Sequence, residues 1–239
     1  MHRAQLSLRV EEGEVRDQPR VTILLDGRDL DLLVEGSEFI GFDPDEILGE
    51  GAPLVPLEQP RRVAVYRCEC GLPGCGVVAP QISREGDEIV WRDARDYTGV
   101  FDGPLAPAED LGEGALLSLP ELGFDAAQYL EEVQRATADR SWESERRVTA
   151  RLLKDILLAS EELCSAGYCL QWVGPWGQQP EAFNVVMLDP ERVQVVVDVL
   201  APAQEPPAWA AALAESLLSK DPAEWTLTFE GNYPWPEDD

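Results

Sequence analysis

The sequence predicts an α+β fold with a mostly antiparallel sheet, an N-terminal and a C-terminal hairpin and about three main helices. Apolar residues alternate with polar ones in several short segments, as in half-buried strands, and recur at helical spacing in others. The chain lacks the regular strand–helix alternation of a parallel sheet. With 44% hydrophobic residues it can build a core. We expect one domain over residues 1–239, with a mostly β part (1–120) and a part holding helices and the C-terminal hairpin (121–239) as a possible subdivision.

The first hairpin is predicted by two alternating segments on either side of a polar connection. Their apolar positions are Leu6, Leu8, Val10, Val21, Ile23 and Leu25. Asp26-Gly27 provides turn chemistry after the second segment. The acidic stretch 43–46 resembles a metal loop, but Asp43 is better interpreted as a helix N-cap, with Pro44 at the first helical position and Glu46 closing a capping box.

The sequence of the middle of the chain predicts three strands and a long loop. Residues 61–68 form the first strand, and 77–83 and 88–93 form a hairpin around the turn residues 84–87. Residues 96–114 are rich in Gly and Pro and lack periodicity, so we expect a surface loop there.

Two helices are predicted next. The first covers residues 124–138 with Asp125 near its start, and the second begins at Ser141 and ends at Gly167. The apolar stripe of the second helix is Val148, Leu152, Ile156, Ala159 and Leu163, widened by Leu153 and Leu157.

The C-terminal part returns to strands and a third helix. Residues 183–188 and 192–200 predict the second hairpin, and Pro206-Pro207 opens a helix that Asp221-Pro222 closes. The face of this helix is formed by Trp209, Leu213 and Leu217. A last strand is expected at 225–229.

Charge restricts the classes of partner. The chain has 46 acidic and 19 basic side chains, a net charge of −27. This charge argues against nucleic acid and anionic membranes as partners, because both require a cationic surface. The sequence has neither an apolar run long enough to span a bilayer nor the apolar segment of a signal peptide, so we expect a cytoplasmic protein. An acidic surface attracts a basic protein partner; alternatively it only keeps the protein in solution.

One segment has the opposite charge. Residues 135–154 contain six basic and three acidic side chains, a net charge of +3. The basic side chains from residue 140 onward are Arg140, Arg146, Arg147, Arg151 and Lys154. They can bind an anion or an acidic partner, but we expect internal ion pairs or solvation.

The most specific chemistry lies in residues 68–76. Cys68 and Cys70 are two apart and can point to the same side of a strand, and the intervening Gly and Pro residues bring Cys75 back toward them. Three thiolates can hold a soft cation such as Zn²⁺, so zinc is a possible cofactor. Candidates for a fourth ligand are His2, Cys164 and Cys169. A redox pair and structural thiols in a tight turn remain alternatives.

No catalytic residue is predicted. The single histidine is N-terminal, and no serine nucleophile motif occurs. Asp93 and Asp96 are a candidate carboxylate pair, although polar residues leaving an edge strand explain them better. Trp172 and Trp176 flank a Gly-Pro pair and suggest an exposed aromatic contact site; covering the core is the alternative.

Five segments of the chain occur in a recognisable order: DGRDL (26–30), CECGLPGC (68–75), EIVW (88–91), FDAAQY (124–129) and DRSWE (139–143). On these segments the chain, over about residues 20–175, resembles a family of uncharacterised bacterial proteins, mainly from actinobacteria. The resemblance implies a bacterial cytosolic protein with one shared architecture. It implies no catalytic residue, and of the cysteines it supports only Cys68, Cys70 and Cys75.

The leading functional expectation is a non-enzymatic acidic interaction protein that binds or neutralises a basic protein, as an immunity protein does. The first alternative is a small protein organised by a cysteine-based zinc site at residues 68–75. The second alternative is an enzyme that uses carboxylates, which would require a concave site with two facing acids.

Overall fold

The computed structural model describes residues 3–13, 17–30, 39–49, 51–70, 73–106, 112–175, 180–191 and 194–220, without the side chains of Glu162, Cys164 and Gln194. The chain forms two compact units, Met1–Trp142 (the N-terminal unit) and Glu143–Asp239 (the C-terminal unit). Both contain strands and helices, and all but one of the described strand pairings are antiparallel. The predicted α+β class is confirmed.

The N-terminal unit contains two sheets and two helices among its described residues. Its strands are β1 (Arg3–Ala4), β2 (Leu6–Glu11), β3 (Arg20–Leu25), β4 (Arg28–Asp29), β5 (Phe39–Gly41), β6 (Arg61–Arg62), β7 (Tyr66–Cys68), β8 (Val77–Glu85), β9 (Glu88–Tyr97), β10 (Ala115–Leu116) and β11 (Leu122–Asp125). Its helices are α1 (Pro44–Ile47) and α2 (Ala126–Ala138). The larger sheet has the order β1-β11-β9-β8-β7-β5, with β10 beside β9 and β6 beside β8; the smaller has the order β2-β3-β4.

In this unit the structure confirms the predicted first hairpin, the turn after it and the helix cap at Asp43. The β2–β3 hairpin forms as predicted, and Asp26 and Gly27 make the next turn with φ of 50° and 78°. At α1 the Asp43 carboxylate accepts the N–H of Asp45 at 2.9 Å, and the Glu46 carboxylate accepts the N–H of Asp43 at 3.2 Å. The predicted capping box is therefore confirmed.

Helix α2 belongs with the N-terminal sheets. The Gln128 amide donates to the carbonyl of Leu6 at 2.7 Å, and the Glu132 carboxylate accepts the N–H of Leu8 at 2.6 Å. These side chains satisfy backbone groups of β2, which a strand partner would otherwise satisfy. The unit boundary thus lies after Trp142, not at residue 120 as in the subdivision expected from the sequence. The single-domain expectation itself stays a prediction.

The C-terminal unit packs helices on an antiparallel sheet. Its described elements are α3 (Glu145–Leu158), α4 (Glu161–Ser165), β12 (Cys169–Pro175), β13 (Ala182–Leu188), β14 (Gln194–Leu200) and α5 (Pro206–Leu218). The sheet order is β12-β13-β14, which contains the predicted C-terminal hairpin as β13–β14. The buried apolar residues of α3 and α5 form one cluster with those of the sheet, separate from the cluster in the N-terminal unit.

Three helix and strand predictions differ from the structure. Residues 124–125 belong to β11, and α2 starts after Asp125, its N-cap. The second helix starts at Glu145 with Ser144 as N-cap and ends at Leu158, so α4 is a separate helix. The residues that α3 buries are Arg146, Arg147, Thr149, Ala150, Leu153 and Leu157, whereas Ile156 of the predicted stripe is 36% exposed.

The predicted surface loop at 96–114 is also shorter than expected, because β9 continues to Tyr97. The strand expected at 225–229 lies outside the described residues. Among the described helices, none has the length and apolar composition that crossing a bilayer requires.

Candidate functional site: a cluster of three thiols

The cysteine segment joins two paired strands. Strands β7 and β8 are antiparallel, and the N–H of Cys68 donates to the carbonyl of Gly76 at 2.8 Å, which extends the pairing to the end of both strands. The connection between these two residues contains Cys70 and Cys75. All three cysteines are therefore held at one end of the β7–β8 pair.

The Sγ atoms of Cys68, Cys70 and Cys75, called the thiol cluster below, all lie within 4.8 Å of one another. Cys68 is half-buried, Cys70 and Cys75 are exposed, and none of the three forms a disulfide. In a tetrahedral zinc site with Zn–S bonds of about 2.3 Å, the sulfur atoms are about 3.8 Å apart. The cluster can hold a metal ion after only a small contraction.

The electrostatics of the cluster oppose three bare thiolates. Hydrogen bonds with Cys68 and then Cys70, together with repulsion from their negative charges, raise the pKa of the Cys75 thiol to about 11. A bound cation reverses this repulsion and favours the thiolate form, so metal binding at such a site releases protons.

The turn that carries Cys75 is braced by the chain that follows β9. The N–H of Gly99 donates to the carbonyl of Gly74 at 2.7 Å. Phe101, on the same stretch, is buried and packs against Tyr97 with a centroid distance of 5.5 Å. The exposed thiols therefore lie on a backbone that is anchored to the core of the N-terminal unit.

Asp96 lies close to Gly76 in the structure, a position that the sequence pattern does not predict. Its Oδ1 atom is buried and has no hydrogen-bond partner among the residues that the structure describes. This oxygen lies 3.6 Å from the point where a Cβ would stand on Gly76. The residue is on β9, paired with Val78, so a signal for its position exists only in the strand register.

Asp93, the other member of the predicted carboxylate pair, is held by two arginine side chains within the sheet. It lies at an irregularity of the β8–β9 pairing with φ of 48°. Its carboxylate accepts from Arg62 at 2.6 Å and from Arg95 at 2.8 Å. The hydrogen bond from Arg62, with that from Arg95, holds the pKa of Asp93 below its usual value. The interpretation of Asp93 and Asp96 as residues leaving an edge strand is wrong, because β9 lies inside the sheet.

A cavity of about 440 Å³ lies between the chain after α1 and helix α2. Its described lining is Ile47, Leu48, Gly49, Ala52, Leu54, Val55, Leu130, Val133, Gln134, Thr137 and Ala138. None of these lining residues is acidic, so this cavity offers no pair of carboxylates for acid–base chemistry.

The remaining predicted site residues are only partly described. Trp172 lies on β12 and is 36% exposed, and its indole occupies the space that a side chain at 174 would need, which Gly174 leaves open. Trp176 and His2 lie outside the described residues, as does the side chain of Cys164. Cys169 is exposed in the C-terminal unit. The contact site of Trp172 with Trp176 stays a prediction.

The basic segment forms internal interactions. Arg140 pairs with Asp45 at 2.8 Å, and Arg151 makes two hydrogen bonds to the carboxylate of Glu143 at 3.0 and 3.1 Å. Arg146 is buried and donates to a backbone carbonyl of β13. The expectation of internal pairing is confirmed for Arg140 and Arg151.

Comparison of the chain with family models, with curated proteins and with solved structures gives no match.

Proposed function

We propose that this protein binds zinc through Cys68, Cys70 and Cys75. The observation that carries the proposal is the mutual approach of the three Sγ atoms to within 4.8 Å. Thiolate ligands favour soft or borderline cations, of which Zn²⁺ forms tetrahedral sites without redox chemistry. These are also the three cysteines that the resemblance to the actinobacterial family supports.

The proposed ion stabilises the connection between β7 and β8. It replaces repulsion between neighbouring thiolates by attraction to a shared cation, and it links two turn residues to the end of a strand. This role requires no reaction on a substrate, in agreement with the absence of a predicted catalytic residue.

The test is elemental analysis of untagged, purified protein. We expect one zinc per chain in the wild type and none in Cys70→Ser. Cys169→Ser is the matched control: Cys169 is an exposed thiol that does not belong to the group of Sγ atoms within 4.8 Å, so we expect its removal to leave the zinc content unchanged. Wild-type protein without zinc, even after refolding with added Zn²⁺, would reject the proposal.

A second candidate function is favoured by the net charge of −27. We propose that the acidic surface attracts a basic protein and that Trp172 forms part of the contact. Attraction of this kind accelerates encounter and weakens as salt screens it. Aromatic side chains are enriched in protein interfaces, and Trp172 is partly exposed.

Pull-down from native lysate at low and high salt tests this second function. We expect a basic protein that is retained at low salt, released at high salt and lost in Trp172→Ala. Leu116→Ala is the control, because Leu116 is 70% exposed on β10 in the N-terminal unit and belongs to a different sheet from Trp172. A partner that is acidic, or whose retention does not depend on salt, would count against the acidic-surface mechanism.

A further inference from the structure

The position of Asp96 suggests an additional role at the thiol cluster. Its buried Oδ1 has no hydrogen-bond partner among the described residues. A buried carboxylate oxygen without a partner is destabilising, and native proteins nearly always satisfy such atoms with a donor, a water or an ion. A cation bound beside this atom would satisfy it.

The strand register places Asp96 on the face of the sheet that carries Cys68. Asp96 pairs with Val78, and Val78 pairs with Tyr66, so these three residues form one row across β9, β8 and β7. Side chains two residues apart on a strand share a face. Gly76 and Cys68, which are joined by the 2.8 Å hydrogen bond, form the next row on that face.

Gly76 leaves the space between these rows open. Among the described residues outside its own chain neighbours, a Cβ at this position would have Asp96 Oδ1 at 3.6 Å and Phe39 Cε1 at 3.9 Å as its contacts within 4 Å. Because Gly76 has no side chain, the Asp96 carboxylate can turn across it toward Cys68, whose Sγ lies within 4.8 Å of the Sγ atoms of Cys70 and Cys75. Only the thiols belong to the group of atoms within 4.8 Å, so the carboxylate must rotate to bind.

We propose that Asp96 supplies the fourth, oxygen ligand of the metal ion at the thiol cluster. This inference rests on the zinc function proposed above. Three thiolates and one carboxylate complete a tetrahedral zinc site, whereas three thiolates alone leave a position for water. With Asp96 bound the site is closed, so the ion is structural and has no position for a substrate.

The first experiment measures zinc affinity by competition with a chromophoric chelator for the wild type, Asp96→Asn and Glu69→Gln. Glu69 lies between two of the cysteines, so Glu69→Gln removes one carboxylate charge close to them in the chain, leaves β9 unchanged and is the matched control. We expect Asp96→Asn to weaken zinc binding at least about tenfold, and Glu69→Gln to keep affinity near that of the wild type. Equal weakening by both variants would indicate a general charge effect and overturn the assignment.

A second variant, Gly76→Ala, keeps every charge and fills the space that the carboxylate must cross. We expect it to weaken zinc binding while the metal-free protein unfolds at the wild-type temperature, since the added Cβ makes only ordinary contacts. Wild-type zinc affinity in Gly76→Ala would overturn the proposed path of the Asp96 side chain.

Cobalt substitution gives a readout that a merely structural role of Asp96 would not move. Added imidazole should leave the spectrum of the wild-type Co²⁺ protein unchanged, because its coordination is closed, and should shift that of Asp96→Asn, in which a position is open. An imidazole response in the wild type, together with wild-type zinc affinity in Asp96→Asn, would reject Asp96 as a ligand and leave the three-thiol site intact. No metal binding at all in the wild type would reject both proposals.

Discussion

Two connections in the same sheet close antiparallel strand pairs by different means. Between β8 and β9 the turn is Gly86-Asp87, flanked by the pair Glu85 and Glu88, and Gly86 has φ of 63°. Between β7 and β8 the chain runs from Cys68 to Gly76 before pairing resumes. The short turn is determined by backbone conformation, because two-residue hairpins need left-handed φ values that glycine adopts readily.

The longer connection cannot be closed in this way. Its closure entropy is larger, and no single backbone conformation determines it. The three thiols lie where it closes, and the N–H of Gly99 binds the carbonyl of Gly74 within it. If the proposed ion binds there, side-chain chemistry closes the longer connection, whereas backbone conformation alone closes the two-residue turn.

The largest expected effect is that of zinc on the longer connection. At free zinc about one hundred times the dissociation constant, the free energy of unfolding should rise by about 2.7 kcal/mol, and Cys70→Ser should abolish the rise. Denaturant unfolding with and without zinc measures it. Hydrogen exchange should slow in residues 68–76 and stay unchanged in residues 84–89. A zinc effect of equal size in Cys70→Ser would show that the ion binds elsewhere.

The next largest expected effect is the loss of stability when the turn between β8 and β9 is strained. Gly86→Ala should destabilise the protein by about 1–2 kcal/mol, since an L-residue there must adopt the left-handed conformation. In the part of the chain that the structure describes, no heavy atom outside the neighbouring residues lies within 4 Å of the new Cβ, so the loss comes from backbone strain. Gly103→Ala is the control, since its surroundings are equally open and its φ is not in that region. The loss should be the same with and without zinc, and thermal unfolding in both conditions tests this independence.

The smallest expected effect is on the hydrogen bond by which the Glu132 carboxylate of α2 binds the N–H of Leu8 on β2. Burial alone would raise the pKa of Glu132, but hydrogen bonds from Arg135 and the Leu8 N–H outweigh it and lower the pKa. A lowered folded-state pKa stabilises the protein above the unfolded value of about 4.3, and this stabilisation is lost as pH falls through the folded value.

Unfolding temperatures of the wild type and Glu132→Gln between pH 7 and pH 3 measure this effect. We expect the wild type to be more stable near neutrality and the difference to shrink in acid. A difference that does not change with pH would mean that Glu132 contributes by its shape alone. Neither turn of the comparison contains this carboxylate, so the acid response should appear in metal-free protein as well.

The candidate site was partly predictable from the sequence. The two-residue separation of Cys68 and Cys70 and the turn formers before Cys75 indicate convergence, because they act within a few residues. Asp96 could not be connected with them. Its strand was expected to end at residue 93, and the irregular pairing around Asp93 decides which face Asp96 occupies.

In the helices, too, the local features were predictable from the sequence and the long-range contacts were not. The caps Asp43, Asp125 and Ser144 bind N–H groups two or three residues away. By contrast, the choice of Leu153 and Leu157 over Ile156 as the buried face of α3 depends on the sheet and on α5, which follow in the chain. A wide apolar stripe leaves several faces possible, and packing selects one of them.

By itself the sequence determined the alternating strands, the three predicted hairpins, the capping box at Asp43 and the convergence of the three cysteines, because each depends on conformational preferences and hydrogen bonds over a few residues. Only the tertiary structure decided that α2 joins the N-terminal sheets, that β9 is an inner strand and that Asp96 stands over Gly76. These outcomes depend on the pairing and burial of residues distant in the chain, where many registers satisfy the local pattern and only one packs the core.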